Sequence, residues 1–271
     1  MTAKREVVIS VKNLMKNFGP RRIINDVSLD IYEGETLVIM GGSGCGKSTF
    51  LRHLIGSIRP DSGEVWMFGQ NIASISEDEM DLIRKRFGML FQSGALFDSM
   101  TVGENIALPL KEHAKLDTTI INIIVKMKLE QVGLRGFENL MPSQLSGGMK
   151  KRVGLARAMV MDPKIVFYDE PTAGLDPVMT GVVDKLVIDL TKKLQITSVV
   201  VTHDMASVFR IADRIVMLHQ GNIVAIGTPD EIRNTNNPLV RQFVSGSAEG
   251  PISFVQQGDD YLEHLTAEIT E

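Results

Sequence analysis

Nine residues, Gly41-Gly42-Ser43-Gly44-Cys45-Gly46-Lys47-Ser48-Thr49, leave the chain few ways to fold. They fit the pattern Gly-x4-Gly-Lys-Ser/Thr, with Gly41, Gly46, Lys47 and Ser48 at its fixed places. The apolar run at 36–40 reads as a buried strand entering the loop, and 48–57 reads as the helix leaving it. That strand–loop–helix setting is the one the pattern requires. Glycines let backbone N–H groups turn inward, and the helix N-terminus adds partial positive charge, so a polyphosphate is held there. Lys47 is placed to reach the β- and γ-phosphates and Ser48 to hold Mg2+.

The rest of the chain supplies strands and helices in an α/β alternation. Strands are expected at 7–11, 23–31, 64–68, 87–91, 164–168 and 197–201, with a hairpin at 214–218 and 222–226. Helices are expected at 76–85, 177–193, 205–212, 229–233 and 238–244. The first of these opens on a capping box, Ser76 with Glu79. Between 92 and 162 three helical segments, 101–110, 118–132 and 146–161, follow one another without a strand, the mark of an inserted helical subdomain. The chain therefore divides into a core at 1–91 and 163–233, the subdomain at 92–162 and a C-terminal extension at 234–271.

Of the 271 residues 44% are apolar and 23% charged, enough for a sizeable core. No apolar run approaches the roughly 18 residues of a membrane span. The first residues carry no signal-peptide core, and the single cysteine, Cys45, permits no internal disulfide; both point to the cytosol. The net charge of −4 sits largely in the extension, where Glu249, Asp259, Asp260, Glu263, Glu268 and Glu271 face only Arg241. The body is near neutral and offers no nucleic-acid footprint. The acidic tail reads as a solvated or loosely docked segment.

Several residues carry candidate chemistry. Asp169 and Glu170 close the apolar strand 164–168, where two carboxylates are costly without a cation or donors. Beside a phosphate loop, Asp169 can hold Mg2+ and Glu170 can polarise an attacking water. Leu145-Ser146-Gly147-Gly148-Met149 opens a helix with a hydroxyl and two glycines, a second anion-seeking start of the same kind. Phe18 is either a core aromatic or a face for a purine. Gln92 ends a strand and His203 follows one. Cys45 is either a small residue that fits the loop or a thiol activated by Lys47 and the helix end. In the second case a maleimide blocks hydrolysis and ATP protects.

Leu-Ser-Gly-Gly at 145–148 resembles the signature of the ATP-binding-cassette (ABC) ATPases. The phosphate loop, Gln92, the signature, Asp169-Glu170, Gly174-Leu175-Asp176 and His203 stand in that family's order over about residues 7–233. The resemblance implies an ABC-type P-loop ATPase with a mixed-sheet core and an antiparallel β part, hydrolysing ATP with Mg2+. It implies a homodimer in which each phosphate loop faces the partner's signature. Phe18 would then stack on adenine, and Gly42, Ser43, Gly44, Cys45, Gly46, Lys47, Ser48 and Thr49 would hold phosphates. Ser48, Gln92 and Asp169 would serve the metal. Ser146 and Gly148 would contact the opposite γ-phosphate, Asp176 would bridge the sites, and His203 would hold the γ-phosphate beside Glu170.

Met149 departs from the usual Gln at the fifth signature position. Leu-Ser-Gly-Gly-Met-Lys-Lys-Arg, with the strings at 91–100, 102–105, 174–177 and 250–252, is instead similar to the ATPases of Mla-type phospholipid transporters. That similarity implies lipid transport between inner and outer membranes from the cytoplasmic face of the inner membrane. The implied partners are a permease, an MCE-domain lipid-binding protein and a small STAS-type regulatory subunit on the helical subdomain, with a tail that reaches across the dimer. Ala95, Leu96, Phe97 and Met100 would line a groove for a permease helix, unless Leu96 and Phe97 pack in the core. An importer ATPase for a small solute shares every catalytic motif. Chromosome-type cassettes insert a long coiled coil where this chain has 100 residues of short helices between Gly46 and Ser146, and translation types carry two cassettes. Glu170 and His203 argue against a non-hydrolysing regulator.

Overall fold

The computed structural model describes residues 6–252; apart from Glu249, the acids of the tail lie outside them. Strands β1 (Val7–Phe18) and β2 (Arg21–Tyr32) form a long antiparallel ribbon. Both exceed the sequence expectation. The register slips between Val11 and Leu14, where Asn13 takes φ +47, and the bulge hides the two-residue alternation beyond it. Strand β3 (Thr36–Met40) then enters the phosphate loop, and α1 (Lys47–Leu54) leaves it. Strands β4 (Ser62–Met67) and β5 (Gln70–Asn71) complete a four-stranded antiparallel sheet in the order β2-β1-β4-β5. A two-residue strand such as β5 carries no readable period.

Helix α2 (Glu77–Arg84) begins at the expected capping box: Ser76 Oγ accepts from Glu79 N, and Glu79 accepts from Ser76 N. Strand β6 (Phe87–Leu90) follows. Helices α3 (Val102–His113), α4 (Thr118–Gln131) and α5 (Gly147–Ala158) form the helical layer. Helix α3 runs three residues past the expected end, straight through Pro109. A short 3-10 turn at Pro142–Gln144 leads into α5.

The chain returns through β7 (Ile165–Asp169), α6 (Pro177–Leu194), β8 (Thr197–Val201) and α7 (Met205–Ile211). It finishes with the hairpin β9 (Arg214–His219) and β10 (Asn222–Gly227), then α8 (Pro229–Arg233) and α9 (Pro238–Ser245). The second sheet has the order β10-β9-β3-β8-β7-β6, parallel except at the β9–β10 hairpin.

Every residue of β3 is buried. Val38 and Met40 face the helical layer, while Leu37 and Ile39 face the antiparallel sheet, so one strand serves two cores. That double burial is why the strand reads as continuous apolar sequence. Val240 of α9 is also fully buried in the core on the helical side, so the first part of the extension contributes to the body. No helix among the described residues is long and apolar enough to cross a membrane.

An amide of α3 helps to pin the loop after β6. Asn105, fully buried in α3, accepts from Phe97 N at 2.8 Å. Its Nδ2 donates to the carbonyls of Phe97, Met100 and Thr101 at 3.0–3.1 Å. Asn105→Ala strands these backbone groups and is expected to destabilise the fold by about 2–3 kcal/mol, read as a lower denaturant midpoint.

Candidate active site

Parallel pairing fixes where the functional loops emerge. Ile39 and Asp169 both stand opposite Val201, and Leu90 stands opposite Tyr168. The carboxyl ends of β3, β8, β7 and β6 therefore lie in a row, and the phosphate loop, His203, Asp169-Glu170 and Gln92 follow them. The crevice beyond such strand ends is where open α/β sheets bind ligands.

The loop itself is squeezed between two backbones. A Cβ on Gly41 would lie 2.2 Å from the Leu218 carbonyl oxygen, and one on Gly46, at φ +107, would lie 2.8 Å from that of Ile23. Any side chain at either place pushes the loop off β9 or β2. Gly42, Ser43, Gly44, Ser48 and Thr49 range from half-buried to exposed. The Lys47 ammonium donates to the carbonyls of Gly41 and Gly42 at 2.8 and 2.9 Å, holding its charge over the loop. Phe18 ends β1 with half its surface exposed and a Lys16 ammonium 5.6 Å from its ring centre. Its cross-strand neighbour Arg21 comes within 3.9 Å of where a Gly44 Cβ would sit, so the aromatic face stands by the loop and not in the core.

Glu170 takes the left-handed backbone at φ +47, a conformation costing of order 1 kcal/mol for a non-glycine residue. Its N–H donates to Val201 O at 2.8 Å. The turn brings its Oε1 to 2.8 Å from His203 Nδ1. The imidazole is two-thirds exposed while the carboxylate is mostly covered, so the pair presents its ring edge outward. Burial, reinforced by the Glu170 carboxylate, pushes the Asp169 carboxyl above the usual range, against the pull of Arg52 and Lys47. Two adjacent carboxylates in partial burial suit a cation. The Ser48 hydroxyl, Gln92 amide and Asp169 carboxylate are all oxygen donors, the chemistry of a hard ion such as Mg2+. With a single carboxylate among them, they fit a metal that also keeps phosphate oxygens and water.

Ser146 and Gly148 stand outside this row, at the start of α5 in the helical layer. Ser146 caps the helix, its Oγ accepting from Met149 N at 3.3 Å, so the departure at Met149 leaves the helix start intact. Asp176 caps α6, accepting from the N–H groups of Val178 and Met179 at 2.9 and 3.0 Å. Within one chain the candidate residues thus fall into two groups, the strand-end row and the two helix starts.

Lys151 escaped the sequence reading. Buried in α5, it donates to the carbonyls of Glu170 and Ala173 at 3.3 and 2.5 Å and ties the signature helix to the turn that carries Glu170. Burial lowers its pKa. The signal was a lysine on a face otherwise made of Gly148, Leu155 and Gly154, buried residues of the same helix. Arg157 is similar: it donates to the carbonyls of Ala95 and Gly94 at 2.9 and 3.0 Å.

The ABC transporter family matches residues 24–173 of the chain. The chain is 44% identical over 258 residues to the intermembrane phospholipid transport system ATP-binding protein MlaF of Escherichia coli K12, covering 95% of this chain and 96% of that one. It is also 44% identical over 254 residues to a probable ribonucleotide transport ATP-binding protein, mkl, of Mycobacterium leprae, covering 94% and 73%. Among solved structures it is similar to a dimeric ATP-binding cassette in a post-hydrolysis state bound to ADP and Pi. The TM-score is 0.76 at 32% identity, over 82% of this chain and 98% of that one.

Cys45 does not fit the activated-thiol expectation. It is buried behind the loop, and burial raises its pKa by more than the nearby Lys47 lowers it. Little thiolate is present at neutral pH. A maleimide at pH 7 is expected to modify the folded chain roughly tenfold or more slowly than the denatured chain. Mass spectrometry over a time course checks this; equal rates would restore the reactive thiol.

Proposed function

The chain belongs to the ABC transporter family as an ATP-hydrolysing subunit, and on that premise we propose that it drives phospholipid transport between inner and outer membranes. The observation that carries the site assignment is the Glu170–His203 pair, 2.8 Å apart in the same strand-end row as the phosphate loop. The cargo assignment rests on the likeness to the phospholipid transport ATPase.

In this reading the residues divide the work as phosphoryl transfer requires, by positioning and charge. The loop's N–H groups and Lys47 cradle the polyphosphate, Lys47 exchanging the carbonyls of Gly41 and Gly42 for phosphate oxygens. Phe18 stacks on adenine. Glu170, turned inward by its left-handed backbone, accepts a proton from the attacking water. His203, held at Nδ1 by Glu170, presents its other ring nitrogen to the γ-phosphate. Ser48, Gln92 and Asp169 would hold Mg2+, which when bound neutralises charge on the β- and γ-phosphates. Ser146 and Gly148 reach the phosphate bound to a second copy of the chain. Asp176, fixed by its capping bonds, lies between the two sites. The resulting homodimer closes on ATP and reopens after hydrolysis.

The partners would be a permease, an MCE-domain lipid-binding protein and a STAS-type regulatory subunit, with the ATPase at the cytoplasmic face of the inner membrane. Two surfaces support this. Phe91 and Phe97 are about half exposed in the loop after β6, beside Pro109 and Met161, and would receive a permease helix. Leu96 instead packs against the core, so the groove rests on Phe97 and not on both. Leu116, just before α4, and Ile120, Ile123 and Met127 along it stand exposed at helical spacing, an apolar stripe on the subdomain assigned to the regulatory subunit. The likeness to a ribonucleotide transport protein supports a second reading, in which the same motor serves a nucleotide cargo.

Glu170→Gln is expected to lower kcat by about two orders of magnitude or more while ATP binding persists, measured on the isolated chain and its complex. Phe97→Asp should release the permease on affinity purification without altering ATP hydrolysis by the isolated chain. Lipid analysis of the wild-type complex separates the cargo readings: co-purifying phospholipid supports the first, and its absence alongside bound ribonucleotide supports the second.

A further inference from the structure

A buried carboxylate outside the site has a partner set that points back to it. Asp184 lies midway along α6 with 1% of its surface exposed. Its Oδ2 accepts from Ser207 Oγ at 3.0 Å and from Arg210 Nη1 at 2.6 Å, gripping both the first and the last turn of α7. Its Oδ1 has no hydrogen-bond partner among the described residues. Ser207 Oγ also lies 3.2 Å from Asp204 Oδ2, and Asp204 Oδ1 caps α7 by accepting from Ala206 N and Ser207 N. Asp204 follows His203 directly, and its own N–H donates to Thr202 Oγ1 at 3.1 Å.

A chain of contacts therefore runs from α6 through Asp184, Ser207 and Asp204 to His203. At the other end α6 starts on Asp176. A half-satisfied buried carboxylate is a poor way to stabilise two packed helices, since an apolar residue of similar volume does as well or better. It is a good way to fix a direction, because a carboxylate held by a hydroxyl and a guanidinium permits one arrangement of α7 on α6. Helix α7 has only seven residues, and the apolar contacts that Met205, Val208, Phe209 and Ile211 make with the core are not directional.

We propose that Asp184 is a positioning residue for ATP hydrolysis: with Ser207 and Arg210 it locks α7 to α6, so that His203 keeps its place beside Glu170 in register with Asp176. The consequence is that the residue bridging to the second copy and the residue facing the γ-phosphate move as one piece. The inference rests on the role given to His203 above.

The test uses the full-length chain in its transporter complex. Asp184→Asn keeps the shape and the acceptor for Ser207 and removes the charge that holds Arg210. It is expected to lower kcat about tenfold, with KM for ATP, ADP affinity and thermal midpoint little changed, because only the γ-phosphate step depends on His203. Arg210→Gln, at a half-exposed side chain that the fold tolerates, should reproduce the loss, and Arg210→Lys should recover part of it. In a His203→Ala background, single-turnover hydrolysis should fall no further on adding Asp184→Asn. Wild-type kcat in both Asp184→Asn and Arg210→Gln overturns the proposal. So does a loss of ADP affinity and thermal midpoint in parallel with kcat, the mark of a merely structural clamp. If His203→Ala alone hydrolyses ATP at the wild-type rate, the assignment of His203 has failed, which is a separate result.

Discussion

The phosphate loop is held where two backbones from different sheets leave no room for a side chain. Leu218 of β9 closes on Gly41 and Ile23 of β2 closes on Gly46, so the loop is wedged between the parallel core and the antiparallel ribbon. The hairpin tip completes the wedge: Gly221 N donates to Cys45 O, and Asn25 N donates to Gly221 O. A phosphate cradle needs N–H groups that stay pointed inward without ligand to hold them, and this clamp supplies that order before binding. The two sheets are thus joined at the site itself, which explains why a long antiparallel ribbon belongs to an ATPase core.

Charge is arranged around that wedge with little slack. Lys47 rests on its own loop, Arg52 and Lys47 pull on Asp169, and the two carboxylates at the end of β7 repel each other. The left-handed turn at Glu170 separates them by sending its carboxylate to His203. Lys151 then fixes the carbonyl of the same residue from the helical layer. Glu170 is therefore held by its N–H, its carbonyl and its side chain, each from a different element. This is how a strained residue persists: the surroundings over-determine it.

Much of this was legible in the sequence because loops at strand ends use short, distinctive residue strings. The phosphate loop, the carboxylate pair and the capped helix start at Ser146 each need particular residue types, and each stands where its spacing put it. The β1–β2 ribbon was read short because its bulges break the alternation that marks a strand. Lys151, Arg157 and Asn105 were missed for another reason: each is a polar residue whose partners are backbone carbonyls or N–H groups, and backbone groups leave no trace in sequence. Cys45 stayed open between two readings because its neighbours in sequence, Lys47 and the helix end, are electropositive, whereas its side chain is buried among apolar residues. The clamp at Asp184 joins residues 23 and 26 positions apart, beyond any local pattern.

Arg157 carries a mechanical consequence. Its guanidinium holds the carbonyls of Gly94 and Ala95, residues of the loop that would meet a membrane partner, from the last turn of the helix that Ser146 begins. Six residues back along the same rod, less than two turns, Lys151 holds the turn bearing Glu170. Helix α5 is thus a rod fastened at its middle to the turn bearing Glu170 and at its far end to the loop at 94–95, so those two segments share one rigid support.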